Sequence, residues 1–235
     1  MTTAPPLAVS SDGYVTRRPL LKICGLRDPA QAAAVAALGA DAIGVIAVAA
    51  SPRYLASERR PDLFAAVRQA APGCLGVLVV ADPSDAELEQ LGPAGGHQVL
   101  QLHGAETPER CREIRRRCGG GLWKAVRLRQ SSDLEALAAY APVVDALLLD
   151  AWVPDQLGGT GHRIPLEWLE SWRAPLPWWL AGGMAPERVG AVLERLRPDG
   201  IDASSGVERA PGDKDLDRVA ALVAAVGGVG QDQAS

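Results

Sequence analysis

Short apolar runs alternate with longer stretches of helical periodicity along most of the 235-residue chain. The apolar runs predict eight strands, at residues 20–24, 42–46, 75–80, 99–103, 122–128, 146–150, 177–182 and 200–204. A predicted helix follows each strand, at residues 28–39, 57–71, 82–92, 107–119, 131–141, 165–172, 185–196 and 213–226. Several of these helices begin with Asp, Ser or Thr beside a proline, which is typical of a capped N-terminus.

Strict alternation of strand and helix predicts a parallel sheet, because parallel neighbours need a crossover helix to return the chain. Eight such units in about 210 residues favour an α/β protein with a single closed (β/α)₈ barrel, a TIM barrel. An open doubly wound sheet is the alternative, since periodicity alone does not show closure. We expect the barrel domain at residues 19–227, between flexible tails of small and polar residues at 1–18 and 228–235.

Ionisable side chains close several of the predicted strands at their C-terminal ends, where barrels of this kind build active sites. Cys24, His103 and Asp150 each end an apolar strand, while Arg127 and Asp202 occupy positions that face the barrel interior by alternation. Each has a structural alternative, as a buried thiol, a hydrogen-bonded core histidine or a loop-capping carboxylate. Their shared position at one end of the barrel favours a catalytic site.

Two turns rich in glycine and serine close the last two strands, "LAGGM" at 180–184 and "DASSGVE" at 202–208. The loops after these strands are the usual phosphate-binding place in this fold. Glycines allow close backbone approach, and serines add hydroxyl donors. The candidate phosphate ligands are Gly182, Gly183, Ser204, Ser205 and Gly206.

A long loop at 150–168 follows the sixth predicted strand and contains the glycine-rich run Gly158, Gly159, Thr160 and Gly161. Its length and composition suit a lid that excludes water when a ligand binds. A surface loop with no role is the alternative.

Composition excludes several classes of function. A formal net charge of −4 gives no footprint for nucleic acid, and no apolar stretch has the length of a membrane span. The four cysteines, at positions 24, 74, 111 and 118, show no spacing typical of a zinc site or a disulfide framework. No dinucleotide-binding or zinc-protease motif occurs, and we expect no metal site. With reduced thiols and no export signal, we predict a cytoplasmic protein.

Six motifs in order, from about residue 20 to 226, resemble the phosphoribosylanthranilate isomerase family of tryptophan biosynthesis. They are "KICGL", "SPRYL", "QLHG", "LLLDA…GGTG", "LAGGM" and "GIDASSGVE…PGDKD". The resemblance implies a cofactor-free Amadori rearrangement of N-(5-phosphoribosyl)anthranilate to an aminodeoxyribulose phosphate. The expected partner is therefore a small phosphorylated substrate.

The resemblance also implies roles for individual residues. Cys24 would be the general base and Asp150 the general acid, with Arg53 of "SPRY" binding the anthranilate carboxylate. His103 would contact substrate, and the glycines and serines above match the phosphate site. Many members carry aromatic residues before "SPRY", where this chain has "GVIAVAA". Trp152 or Leu55 would then contact the anthranilate ring.

Lys22 shares the inward face of the first strand with Cys24. We hypothesise that Lys22 pairs with Asp202 and favours the Cys24 thiolate, because a nearby cation stabilises the charged form. The alternative is that Lys22 serves packing and solubility alone.

Two other functions remain open at the level of sequence. One is the related isomerase of histidine biosynthesis, or an enzyme serving both pathways; those relatives have a carboxylate where Cys24 stands, which argues against them. The other is a non-catalytic barrel that binds a phosphorylated ligand, which the presence of both Cys24 and Asp150 disfavours. Because nothing in the sequence marks an exposed apolar face, we prefer a monomer, and a homodimer is allowed.

Overall fold

The computed structural model describes residues 18–92, 95–151 and 163–228. Eight parallel strands form a closed barrel in sequence order, which confirms the predicted (β/α)₈ fold and excludes the open sheet. The strands are β1 (Leu20–Cys24), β2 (Ala42–Ile46), β3 (Leu75–Val80), β4 (Val99–Leu102), β5 (Gly121–Leu128), β6 (Ala146–Ala151), β7 (Trp178–Leu180) and β8 (Gly200–Ala203).

Helices follow the strands on the outside of the barrel. They are α1 (Pro29–Ala37), α2 (Arg60–Ala70), α3 (Asp85–Gln90), α4 (Pro108–Arg117), α5 (Glu167–Glu170), α6 (Pro186–Arg195) and α7 (Leu216–Gly228). As the sequence predicted, Asp28 and Thr107 cap their helices by accepting backbone N–H groups, each with a proline at the helix start.

The structure differs most clearly from the prediction at three of the helices. The predicted helix at 131–141 is a 3₁₀ helix, Ser131–Tyr140, and the one at 165–172 is the single turn α5. The predicted helix at 213–226 was wrong at its start, because Asp213–Lys214 (β10) pairs antiparallel with Glu208–Ala210 (β9) and α7 begins only at Leu216. This hairpin, which apolar periodicity did not reveal, contributes two residues to the site described below.

Apolar side chains fill the interior of the barrel beneath its C-terminal end. The inner core consists of Ala42, Val77, Val99, Trp123, Ala125, Ala146, Leu148, Trp179 and Ala181. The rings of Trp123 and Trp179 lie 4.8 Å apart, centroid to centroid. Trp179 occupies the space beside Gly200, where an added Cβ would lie 2.2 Å from the indole. The two indoles therefore help to close the interior, so that polar groups gather above them.

Some predictions lie outside the described residues: the tail at 1–17, the end of the chain from 229, Trp152, and the lid glycines with Thr160. Within the described ranges, no helix is long and apolar enough to cross a membrane. The predicted compartment and monomeric state stay predictions.

Candidate active site

A pocket opens at the C-terminal end of the barrel and brings most of the candidate residues together. Those lining it are Cys24, Arg53, His103, Asp150, Gly182, Gly183, Asp202, Ser204, Ser205 and Gly206. These residues come from loops or strand ends far apart in sequence, and barrel closure places them around one opening. Aliphatic Ile46 and Val48 also line the pocket, at the stretch that lacks aromatic residues. Leu55, by contrast, is buried in the outer core.

Cys24 ends β1 with its thiol beside β2. The register pairs Cys24 with Gly44, and a Cβ on Gly44 would lie 2.6 Å from the Cys24 sulfur. The glycine therefore provides the space for the thiol. Burial raises the pKa of Cys24, and the negative charge of Asp202 adds to this, while Lys22 and Lys214 oppose it. Without a ligand, burial dominates, and the thiol is favoured over the thiolate at neutral pH.

Lys22 lies one step deeper than Cys24 and is completely buried. The predicted pairing with Asp202 is present, at 2.8 Å between Lys22 Nζ and Asp202 Oδ1. Burial opposes the ammonium charge, but attraction to Asp202 and Cys24 outweighs it and raises the pKa of Lys22. Lys22 is therefore a fixed cation beneath the thiol.

Asp150, in β6, lies next to His103, the first residue after β4. His103 Nε2 and Asp150 Oδ2 are 3.6 Å apart, too far for a hydrogen bond. His103 Nε2 is buried and has no hydrogen-bond partner among the described residues. Asp150 Oδ1 accepts the Ala151 N–H at 2.9 Å. The Asp150 carboxyl thus keeps an oxygen directed toward the histidine and the pocket.

Arg127 lies level with Asp150 in the ladder between β5 and β6. Alternation along β5, whose Trp123 and Ala125 belong to the inner core, assigns Arg127 to the same face of the strand. Arg127 is half-buried, and it is not one of the described residues that line the pocket. Its supporting role stays a prediction.

The candidate phosphate turns have the backbone geometry that glycine permits. Gly182 and Gly183 have φ values of 85° and 62°, in the left-handed region. A Cβ on Gly206 would lie 2.0 Å from the Met184 carbonyl oxygen, so the two turns pack against each other without room for a side chain. Oriented backbone N–H groups and the Ser205 hydroxyl can therefore approach one anion, whereas the Ser204 hydroxyl donates to the Cys24 carbonyl at 3.0 Å.

A buried ion pair that sequence patterns did not reveal connects β5 to the loop after β4. Lys124 Nζ lies 2.8 Å from Glu106 Oε2, with both side chains almost fully buried. The Glu106 carboxylate accepts the backbone N–H groups of Asp82 and Gly104. This arrangement fixes the residues that follow His103, whose own N–H donates to the Val80 carbonyl at 2.8 Å.

A second missed network surrounds Arg53. Glu208, in β9, accepts from Arg53 Nε at 2.9 Å and from Arg53 Nη2 at 2.7 Å. Lys214, in β10, lies 2.6 Å from Glu208 Oε1 and also donates to the Cys24 carbonyl at 2.5 Å. The motif "GVE…PGDKD" contains both residues, and its Pro-Gly step between two polar segments was the signal for a hairpin.

No group of three or more His, Cys, Asp or Glu side chains in the described ranges is placed to hold a metal ion. The polar groups around the pocket are instead suited to proton transfer and anion binding.

Comparison with known proteins identifies relatives along almost the whole chain. The family profile described as N-(5'phosphoribosyl)anthranilate (PRA) isomerase matches residues 21–225. The N-(5'-phosphoribosyl)anthranilate isomerase of Synechocystis sp. is 48% identical over 203 residues, which cover 86% of this chain and 93% of the relative. The enzyme of that name from Thermosynechococcus vestitus is 45% identical over 216 residues, covering 91% and 92%.

Solved structures agree with the sequence comparison. Phosphoribosyl anthranilate isomerase from Thermotoga maritima superposes with a TM-score of 0.79 at 28% identity, over 89% of this chain and 99% of that one. TrpF from Jonesia denitrificans gives 0.75 at 35% identity, over 91% and 98%. A phosphoribosyl anthranilate isomerase complexed with reduced 1-(o-carboxyphenylamino)-1-deoxyribulose 5-phosphate gives 0.73 at 28%, over 89% and 99%. As its motifs predicted, the chain belongs to the N-(5'-phosphoribosyl)anthranilate isomerase family.

Proposed function

We propose that the protein converts N-(5'-phosphoribosyl)anthranilate to 1-(2-carboxyphenylamino)-1-deoxyribulose 5-phosphate, the isomerase step of tryptophan biosynthesis, without a cofactor. Family membership supports this, as does the relative solved with a reduced form of that product. The pocket has a counterpart for each charged end of such a ligand. The glycine and serine turns at 182–183 and 204–206 suit the phosphate, and Arg53 suits the carboxylate.

In the first step, Asp150 in its protonated form donates a proton to the furanose ring oxygen. The bond between C1 and that oxygen breaks, and the nitrogen lone pair forms a Schiff base with C1. Asp150 is left as a carboxylate. His103 Nε2 lies 3.6 Å from Oδ2, and a contact of this length can shorten to a hydrogen bond once substrate is bound.

In the second step, the Cys24 thiolate removes the proton from C2, and the electron pair moves to give the enolamine. The enolamine then tautomerises to the ketone. Burial raises the pKa of Cys24 in the free protein, which disfavours the thiolate. The positive charge of the Schiff base formed above the thiol, together with the buried Lys22 ammonium, offsets that cost when substrate is bound. Proton exchange with solvent restores both groups.

The observation that carries this proposal is that Cys24 and Asp150 open into one pocket from two separated strands. Between β6 and β1 the closed barrel inserts β7 and β8, whose C-terminal turns are the candidate phosphate site. A phosphate held there leaves the sugar between the acid and the base. The two groups can then act from different sides of the sugar, which the reaction requires.

A coupled assay that follows the disappearance of phosphoribosylanthranilate tests the activity. The purified protein should accelerate this disappearance and form the aminodeoxyribulose phosphate. In a parallel reaction, the aminoaldose phosphate of histidine biosynthesis should be turned over far more slowly. No turnover of the anthranilate substrate would contradict the proposal, and preference for the other substrate would favour the alternative isomerase.

A further inference from the structure

Arg53 does not extend freely into the pocket, because Glu208 binds one edge of its guanidinium. Arg53 Nε lies 2.9 Å from Oε1 and Nη2 lies 2.7 Å from Oε2, the paired geometry of a two-point contact. The stem of Arg53 packs over Gly25, where a Cβ would lie 2.5 Å from Arg53 Cδ. Within the described residues this leaves Nη1 as the nitrogen without a hydrogen bond.

The Glu208 carboxylate is itself held from two further directions. Lys214 Nζ lies 2.6 Å from Oε1, and the Gly212 N–H donates to the same oxygen at 3.1 Å. Burial opposes its charge, but Arg53 and Lys214 outweigh burial and lower the pKa of Glu208. Glu208 is therefore a carboxylate at neutral pH with a fixed position.

Lys214 connects this pair to the base. Its side chain is fully buried, and Nζ also donates to the carbonyl of Cys24 at 2.5 Å and to that of Ser204 at 3.3 Å. Gln31 on α1 exchanges two hydrogen bonds with the backbone of Lys214, through its N–H and its carbonyl. The hairpin of β9 and β10 is thus anchored both to the barrel wall and to the residue that carries the thiol.

Two effects of Glu208 on Arg53 are physically possible. A carboxylate beside a guanidinium could compete with a substrate carboxylate and weaken its binding. The cluster argues for the opposite, because two cations, Arg53 and Lys214, surround one anion and leave one net positive charge. A long arginine side chain also loses rotamer freedom when it binds, and a guanidinium already held in place loses less.

We propose that Glu208 is a positioning residue that holds the Arg53 guanidinium with Nη1 directed at the substrate's carboxylate, while Lys214 balances its charge. This inference rests on the proposed function and deepens it. The substrate's carboxylate is on the anthranilate ring, whereas the reacting atoms are C1, C2 and the ring oxygen of the sugar. Glu208 should therefore contribute equally to binding in the ground state and in the transition state.

A double-mutant cycle tests the proposal, with Glu208→Gln, Arg53→Met and the pair combined. We expect Glu208→Gln to raise KM by about tenfold, since a charge-assisted contact is lost. The freed Lys214 charge favours the Cys24 thiolate, so kcat is compared at the plateau of its pH profile, where it should stay within about twofold of wild type. In the Arg53→Met background, Glu208→Gln should have almost no further effect on KM. The exposed pair of Arg195 and Glu170 gives a matched control, and Glu170→Gln should leave KM unchanged.

Binding of the reduced product measured by calorimetry gives a second readout. An analogue of that product without the ring carboxylate should bind wild type and Glu208→Gln equally well.

A second variant covers the case in which Glu208→Gln unfolds, since that substitution leaves the Lys214 ammonium without its carboxylate. Glu208→Gln combined with Lys214→Met removes one negative and one positive charge, so that the net charge stays that of wild type. A lower KM in Glu208→Gln would show competition, and additive losses in the cycle would show a structural role; either overturns the proposal. Wild type without turnover or ligand binding would overturn the proposed function as well, whereas an active wild type with an additive cycle would overturn this inference alone.

Discussion

Gly44 and Cys24 are complementary: the sulfur of Cys24 occupies the space in which any side chain at position 44 would begin. An ideal Cβ on Gly44 would lie 2.6 Å from Cys24 Sγ and 3.0 Å from Cys24 Cα. Because the backbone of Cys24 is part of the contact, rotation of the thiol alone cannot relieve it. The position of the proposed base therefore depends on a missing side chain in the neighbouring strand.

Gly44→Ala should displace the thiol and lower kcat by at least about tenfold, because a proton acceptor must remain within hydrogen-bond reach of its proton. Overpacking in the barrel should also lower the free energy of unfolding, by about 1–3 kcal/mol. Steady-state kinetics and urea unfolding measure the two effects. Gly73→Ala is the control, since nothing lies within 4 Å of a Cβ at that position. Wild-type kcat in Gly44→Ala would show that the thiol need not occupy this place.

Cys24→Ala and Asp150→Asn should each reduce turnover by at least about a hundredfold, the scale of general acid or base catalysis. Both variants should keep the far-ultraviolet circular dichroism of wild type and bind the reduced product. Cys118→Ala, which removes a buried thiol at the end of α4, should keep normal turnover. If Cys24→Ala and Asp150→Asn turn over normally, the assignment of base and acid is wrong.

Lys22 and Asp202 should shift the pKa of Cys24 in opposite directions. Lys22→Met removes a cation that lowers this pKa and leaves the Asp202 anion unbalanced, so the pKa should rise further. Asp202→Asn removes an anion that raises it, so the pKa should fall. The rate of alkylation of Cys24 as a function of pH, followed on its peptide by mass spectrometry, measures both. The acid limb of the pH–rate profile should move with the thiol, to higher pH in Lys22→Met. An unchanged pKa in Lys22→Met would leave Lys22 with a packing role only.

The barrel was predictable because each strand is a short apolar run followed by a segment of helical periodicity, and eight repeats favour closure. The hairpin at Glu208–Ala210 and Asp213–Lys214 was not, because its strands are polar and very short. Its Glu208 side chain accepts a hydrogen bond from Arg53, which lies in a loop 155 residues earlier in the sequence. Local periodicity contains no information on such a contact.

The placement of candidate site residues in the pocket was predictable where strand position alone decides, as for Cys24, Asp150 and Asp202. The surroundings of those groups were not, because they depend on which glycine leaves space and which buried charge lies near. A cation on the same strand suggested a favoured thiolate, yet burial outweighs Lys22 and raises the pKa of Cys24 in the free protein. Arg53 was expected to be available for a substrate carboxylate, and the structure shows that Glu208 already binds two of its nitrogens.

Two buried thiols outside the pocket should make the fold sensitive to alkaline pH. Burial raises the pKa of Cys74 to about 12 and that of Cys111 to about 11. In the unfolded chain a thiol ionises near about pH 8.5, so above that pH the unfolded state loses protons that the folded state retains. The contribution of each thiol to folding stability is complete below the pKa that the thiol has in the unfolded chain. It is lost as the pH rises toward the pKa of that thiol in the folded protein. Each thiol should lower the free energy of unfolding by about 1.4 kcal/mol per pH unit in this range.

Urea unfolding at pH 7 and pH 10 of wild type and Cys74→Ala isolates the contribution of one thiol. The variant loses packing at both pH values, so the informative quantity is the difference between them. On going to pH 10, wild type should lose more stability than Cys74→Ala, because only wild type has a Cys74 thiol that ionises in the unfolded state. Lysine and tyrosine titration affects both proteins equally and cancels in the comparison. An equal loss in the two proteins would mean that the Cys74 thiol ionises in the folded state as readily as in the unfolded one, and that its burial does not protect the proton.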